Sequence, residues 1–199
     1  VPHFPPLLLM LLPLLWQLLQ SGLDLLGANP VEHWLRFTGD WALWLLLLTL
    51  SISPLRRLLS IPTWASWRRL FGLASFFYAS LHLAIYLLFE RGLAWTEILQ
   101  DLRKRPFILV GFLAFVLLLP LAITSSRSWM RRLGGAWQRW HTLIYPASLL
   151  VILHFFLLTR TDWRTPLLHG LLLLVLLAWR LPRMRPFLSF HCSDSKGVV

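Results

Sequence analysis

Three histidines lie inside long apolar runs: His82 in Tyr78-Ala79-Ser80-Leu81-His82-Leu83, His141 in Gln138-Arg139-Trp140-His141, and His154 in Val151-Ile152-Leu153-His154. Imidazole binds metals, moves protons and donates hydrogen bonds. In lipid it is costly unless it faces the interior of a helix bundle and finds a partner there. Three of them on two helices imply a group bound between those helices, and neutral imidazole is a common ligand of iron and other transition metals. The chemistry these residues predict is one-electron transfer through a haem held in a membrane.

The composition agrees with that setting. The chain is 57% hydrophobic with a mean hydropathy of +0.66 and only 14% charged residues, where a soluble domain carries about one quarter. Cys192 is the only cysteine, so no intrachain disulfide can form and a cysteine-ligated cluster is not expected. The net charge of +11 could suggest nucleic acid. The arginines, however, sit at the ends of apolar runs and not on a soluble face, which is the pattern of membrane orientation. Membrane lipid is the expected surrounding, with no nucleic-acid partner.

The elements that must position the histidines are apolar helices. The expected fold is an all-α integral membrane protein, a six-transmembrane-helix bundle with haem between helices 3 and 5. The spans read as 7–26, 41–59, 70–89, 107–124, 137–158 and 166–181, each near the ~20 residues that cross the bilayer core. The first resembles a signal peptide in its leucines but lacks a basic start and a small-residue cleavage site, so it reads as a span. Residues 1–185 read as one domain and 186–199 as a cytoplasmic tail. No G-x-G-x-x-G or P-loop is present, Gly134-Gly135 reads as a turn, and no internal repeat is apparent.

Arginine placement orients the bundle. Arg56, Arg57, Arg68 and Arg69 fall between spans 2 and 3, Arg127, Arg131, Arg132 and Arg139 between spans 4 and 5, and Arg180, Arg183, Arg185 and Lys196 in the tail. The alternate connections hold Glu32, Asp40, Glu90, Glu97, Asp101 and Asp162. The positive-inside rule then places both termini in the cytoplasm. The expected location is a bacterial inner membrane, crossed several times. Arg103-Lys104-Arg105 runs against the rule, within a stretch 93–105 that mixes leucines with charges. That stretch reads as an amphipathic helix on the outer surface, with Pro106 opening the next span.

Depth pairs two of the histidines. Spans 3 and 5 both run outward, and His82 and His154 lie about 10 Å and about 6 Å before their outer ends. They can ligate one iron from both faces. His141 lies about 20 Å below His154 on the same helix and roughly 140° around it, unless Pro146 bends the helix. No histidine on span 3 matches His141; Arg68 and Arg69 stand there. One haem site is therefore clearer than two. His169 reads as interfacial or hydrogen-bonding, and His3, His33 and His191 as solvated. The arginine groups read first as topology signals. Their other use is as an anion site for a haem propionate or a flavin phosphate, through Arg68, Arg69, Arg132 and Arg139.

The chain resembles the MsrQ (YedZ) family, haem-binding membrane subunits within the ferric-reductase-like transmembrane group. The matching stretches are Asn29-Pro30-Val31-Glu32, Phe37-Thr38-Gly39, Ser53-Pro54-Leu55-Arg56, Arg68-Arg69-Leu70-Phe71-Gly72-Leu73 and Leu81-His82-Leu83. They continue with Arg105-Pro106-Phe107, Thr124-Ser125-Ser126, Leu133-Gly134, Trp137-Gln138-Arg139-Trp140-His141 and His154. The resemblance runs from about residue 29 to 185. It implies b-type haem with ligands among His82, His141 and His154, and an FMN. It also implies electrons from quinol or a cytoplasmic flavin reductase, and a periplasmic molybdopterin-containing methionine sulfoxide reductase catalytic subunit as the recipient that repairs oxidised proteins. Larger relatives, the NADPH oxidases and ferric reductases, use two histidines on each of two helices and an attached nucleotide domain. Neither the fourth histidine nor such a domain is present here. No catalytic residue is expected on this chain, whose role is that of an electron conduit. Two other classes stay open: a stand-alone ferric reductase or metalloreductase of the cytochrome b561-like type, and a haem-free scaffold or transporter.

Overall fold

Asn29 and Pro30 start the longest helix. The Asn29 side chain accepts from the Glu32 amide at 3.3 Å, and Pro30 occupies the first turn, where its missing N–H costs nothing. This helix, α2 (Pro30–Leu58), therefore begins well before the expected residue 41. Its first turns carry charge, including a Glu32–Arg36 pair at 2.7 Å, and those charges hid the helix from a reading based on apolarity.

The computed structural model describes residues 4–60, 65–159 and 162–180. The expectations for His3, His191, Cys192 and the tail lie outside them. Around α2 stand α1 (Phe4–Gly22), α3 (Ala65–Ile85), α4 (Trp95–Lys104), α5 (Pro106–Ile123), α6 (Arg127–Leu133), α7 (Ala136–His141), α8 (Ile144–Leu158) and α9 (Arg164–Ala178). Among the described residues all regular structure is helical and no strand occurs. Four stretches are long and apolar enough to cross a membrane: 30–56, 67–90, 106–123 and 136–158. α9 is shorter, at 15 residues.

The bundle is built on two helix pairs, α2 along α3 and α5 along α8, with α9 against α8 and α2. One apolar core joins them: Leu43, Leu46, Leu47 and Leu50 of α2, Leu118 and Leu121 of α5, Ile144 and Ala147 of α8, and Leu173 and Leu176 of α9. Small residues bring α2 and α3 close. The Ser75 hydroxyl donates to the Ala42 carbonyl at 2.8 Å, and a Cβ on Gly72 would lie 3.5 Å from Thr49 Cγ2. α1 attaches where the Tyr78 hydroxyl donates to the Met10 carbonyl at 2.8 Å. Large side chains such as Leu119, Leu149, Leu168 and Val175 remain exposed around the outside, as lipid contact requires.

Two irregularities shape the ends. α3 finishes in a π-helical turn, Tyr86–Glu90, followed by Gly92 and Leu93 at φ +53° and +59°, which fold α4 back toward α5. α4 matches the amphipathic helix expected over 93–105, and Pro106 opens α5 as expected. The helix expected over 137–158 is broken at Thr142-Leu143 into α7 and α8. Pro146 has no N–H to give the Thr142 carbonyl, and the amides of Thr142, Leu143 and Tyr145 instead bond three residues back. Gly134, at φ +50°, makes the turn between α6 and α7.

Candidate functional site: a pair of facing histidines

Each of the two paired histidines is set by a neighbouring helix. His82, on α3, donates Nδ1–H to the Leu35 carbonyl of α2 at 2.9 Å. His154, on α8, donates Nδ1–H to the Phe107 carbonyl of α5 at 2.6 Å. One turn further along each of those helices stands a glycine. A Cβ on Gly39 would lie 3.3 Å from His82 Nδ1, and one on Gly111 would lie 2.7 Å from His154 Nδ1. The imidazoles therefore rest against bare backbone, where a Cβ at Gly111 would displace the ring and one at Gly39 would only crowd it.

The two settings are one arrangement used twice. Leu35, Gly39 and His82 correspond to Phe107, Gly111 and His154 at a constant offset of 72 residues. Both helix pairs run the same way, so this is a parallel repeat of a two-helix unit. The expectation that the chain lacks an internal repeat is thereby corrected. Only the glycine and the histidine are shared at these positions, so the relationship lies in backbone geometry. The repeat is imperfect: Thr38, fully buried with Oγ1 3.4 Å from His82 Nδ1, has Val110 as its counterpart.

The rings approach each other across the bundle with centroids 6.3 Å apart and planes at 84°. An imidazole nitrogen binds a metal at about 2 Å and the ring centroid lies about 1 Å behind it, so two rings on opposite sides of one ion have centroids about 6 Å apart. With both Nδ1 atoms held by carbonyls, Nε2 is the nitrogen left on each ring for a ligand bond. Among the described residues no group of three His, Cys, Asp or Glu side chains is placed to hold a metal. Two opposed imidazoles without a third protein ligand suit a metal that brings its own equatorial ligands, as a porphyrin does.

His141 is in a different place. It ends α7, before the break, with its ring 4.0 Å from that of Trp137 and tilted by 30°. Its Nδ1 is buried, lies near the Trp137 carbonyl one turn back in its own helix, and makes no well-aligned hydrogen bond among the described residues. It lies within electrostatic reach of Arg68 and not beside the other two histidines. Arg69 occupies the corresponding position of the first repeat unit. The four arginines considered for an anion site are not grouped. Arg132 lies 5.8 Å over the Trp129 ring, Arg69 and Arg139 are exposed, and only Arg68 joins other cations. His169 donates Nδ1–H to the Thr165 carbonyl at 2.7 Å and packs edge-on against Trp44 at 4.8 Å, a hydrogen-bonding role.

The end of the bundle beyond His82 carries an ion cluster that the sequence reading missed. Asp101 of α4 is 8% exposed and lies 2.6 Å from Arg91 and 3.2 Å from Arg105. It also accepts from the Tyr86 hydroxyl at 2.8 Å. Arg91 Nε approaches off the N–H line, so this contact is one of charge and not a hydrogen bond. Tyr86 stands one turn after His82, so the cluster braces the end of the helix that carries the imidazole.

Apolar helices around two opposed imidazoles define a membrane protein of redox type. Residues 38–152 match the family described as ferric reductase like transmembrane component. A protein of Xanthomonas euvesicatoria pv. vesicatoria is 52% identical over 165 residues, 83% of this chain and 76% of that protein. A protein of Caulobacter vibrioides is 40% identical over 169 residues, 84% of this chain and 80% of that one. Both are named protein-methionine-sulfoxide reductase heme-binding subunit MsrQ. The chain belongs to the MsrQ family. No solved structure matches it.

Proposed function

We propose that this chain is the haem-binding, electron-transferring membrane subunit of a methionine sulfoxide reductase system, with one haem b held by His82 and His154. The observation that carries this reading is the duplicated imidazole setting, with its 6.3 Å centroid separation. The names of the relatives support it independently.

A bound haem supplies a one-electron couple. The Leu35 and Phe107 carbonyls fix the tautomer of each histidine and make its other nitrogen a better ligand. Gly39 and Gly111 hold the rings at their depth. His82 and His154 would hold the haem, and their burial between the helices would help set its potential. Bond-making chemistry belongs to a separate catalytic subunit, which we take to be the periplasmic molybdopterin protein implied by the resemblance. Electrons enter from quinol or a cytoplasmic flavin reductase, with FMN as an intermediate carrier.

The topology completes the reading. α1 and α9 join the four long helices to make six crossings of one domain, residues 1–185. The arginine end faces the cytoplasm with both termini, and the end carrying Asp101 faces the periplasm of a bacterial inner membrane. The histidine pair then lies toward the side on which oxidised envelope proteins are repaired.

Purified wild-type protein is expected to show a Soret band, with α and β bands on reduction. His82→Ala and His154→Ala should each lose most of the haem while keeping wild-type helicity by circular dichroism. A colourless wild-type protein, or variants that keep full haem content and an unchanged spectrum, would reject the assignment.

A further inference from the structure

At the arginine end Arg68 lies within electrostatic reach of both Arg180 and Arg56, and among the described residues none of the three is paired with an acid. Arg180, just past α9, is 7% exposed. Its Nη2 donates to the Leu50 carbonyl at 2.7 Å and to the Ser53 hydroxyl at 3.1 Å, both on α2. Its guanidinium carbon lies 6.0 Å over the Tyr145 ring. Its Nε is buried and has no hydrogen-bond partner among the described residues. Arg68, at the start of α3, is within electrostatic reach of Arg180, Arg56 and Tyr145, and His141 is within reach of Arg68.

The chain has eight acids. Asp24, Glu32, Asp40, Glu90, Glu97, Asp101 and Asp162 lie toward the opposite end, and Asp194 falls outside the described residues. Every ion pair among the described residues is at that opposite end. A buried cation beside like charges is strongly unfavourable unless an opposite charge joins it. Arginine forks recognise phosphate oxygens bidentately. Arg68 precedes His82 by fourteen residues, about 21 Å of helix, which puts the cluster near the opposite membrane face from the histidine pair.

We propose that Arg180 and Arg68, with Arg56 and the Ser53 hydroxyl, bind the phosphate of an amphiphilic ligand at the arginine end of the bundle. A flavin mononucleotide and a phospholipid headgroup share that chemistry. The flavin source would give the carrier of the proposed function its place; the cluster itself stands apart from the haem assignment.

The test uses the full chain in detergent, delipidated and titrated in four arms: FMN, riboflavin, short-chain phosphatidylglycerol and the matching diacylglycerol. Flavin fluorescence quenching and native mass spectrometry read binding, and the Soret band reports separately on the histidine pair. Arg180→Gln and Arg68→Gln are expected to weaken the phosphate-bearing ligand about tenfold or more, the loss of one charge-assisted contact. Arg131→Gln should bind as wild type, and the phosphate-free analogue should not distinguish the variants. An effect in the FMN arm identifies the flavin source, and one in the phosphatidylglycerol arm the lipid. If Arg180→Gln fails to fold, Arg68→Gln, whose side chain is exposed, carries the measurement. The proposal is overturned if neither phosphate ligand separates wild type from these variants, or if the phosphate-free analogues bind equally well.

Discussion

His154 and His141 occupy the two ends of one apolar stretch, yet they are prepared for different work. His154 has its Nδ1 tied to a carbonyl and its ring laid against Gly111. His141 has a buried Nδ1 that reaches only toward the Trp137 carbonyl of its own helix, off the line of a good hydrogen bond, and a tryptophan against its face. The first is anchored to a neighbouring helix; the second meets only residues of its own helix. A ligand residue is thus marked less by being histidine than by what holds its far nitrogen. His82 shares the setting of His154 in every main respect, which is why the comparison groups these two and leaves His141 apart.

The sharpest way to break that contrast is to remove the bare backbone behind the ring. Gly111→Ala places a methyl 2.7 Å from His154 Nδ1, a separation that real contacts do not allow. Overpacking of this kind costs about 1–3 kcal/mol. The ring should move off the Phe107 carbonyl, and haem content per protein should fall severalfold. Gly39→Ala has 3.3 Å available. Its helix-propensity gain of about 1 kcal/mol offsets much of the crowding, so thermal denaturation should show a small change and the spectrum should persist. Equal effects at the two glycines would contradict the packing described.

Asp101→Asn comes next. It leaves Arg91, largely buried, with only the exposed Glu97 carboxylate at 3.6 Å as counter-charge and weakens the hold on Tyr86 one turn beyond His82. Breaking such a pair costs about 3 kcal/mol. A lowered melting temperature with haem still bound is expected, and an unchanged melting curve would show that the cluster does not brace this end. The smallest effect on the pair belongs to His141→Ala, which should leave the spectrum of the His82–His154 site at wild-type intensity. Loss of that signal would erase the distinction between the two ends.

Much of this was readable in the residues. The helical class, the helices over 70–89 and 107–124, the surface helix before Pro106 and the matched depth of His82 and His154 all follow from apolar length and charge placement. The start of α2 was not read, because Glu32, Arg36 and Asp40 mask the apolar pattern, although Asn29-Pro30 carries the cap. The repeat escaped because it is written in one glycine and one histidine per unit, with Leu35 and Phe107 contributing only carbonyls. A carbonyl leaves no trace in residue type. Arg180 looked like a topology signal, since its burial against Leu50 and Ser53 depends on how α9 meets α2. The separation of Arg68 from Arg69, Arg132 and Arg139 has the same origin: helix faces and the break at Thr142, not spacing, decide which arginines meet.

The central claim is that His82 and His154 are the two axial ligands of one iron, with ring planes near perpendicular at 84°. Electron paramagnetic resonance of the oxidised, purified protein tests it most directly. A low-spin ferric signal with the strong anisotropy of perpendicular imidazole planes, lost in His82→Ala and in His154→Ala but kept in His141→Ala, is the predicted result. A high-spin signal in the wild type, or a low-spin signal that survives both substitutions, would contradict it.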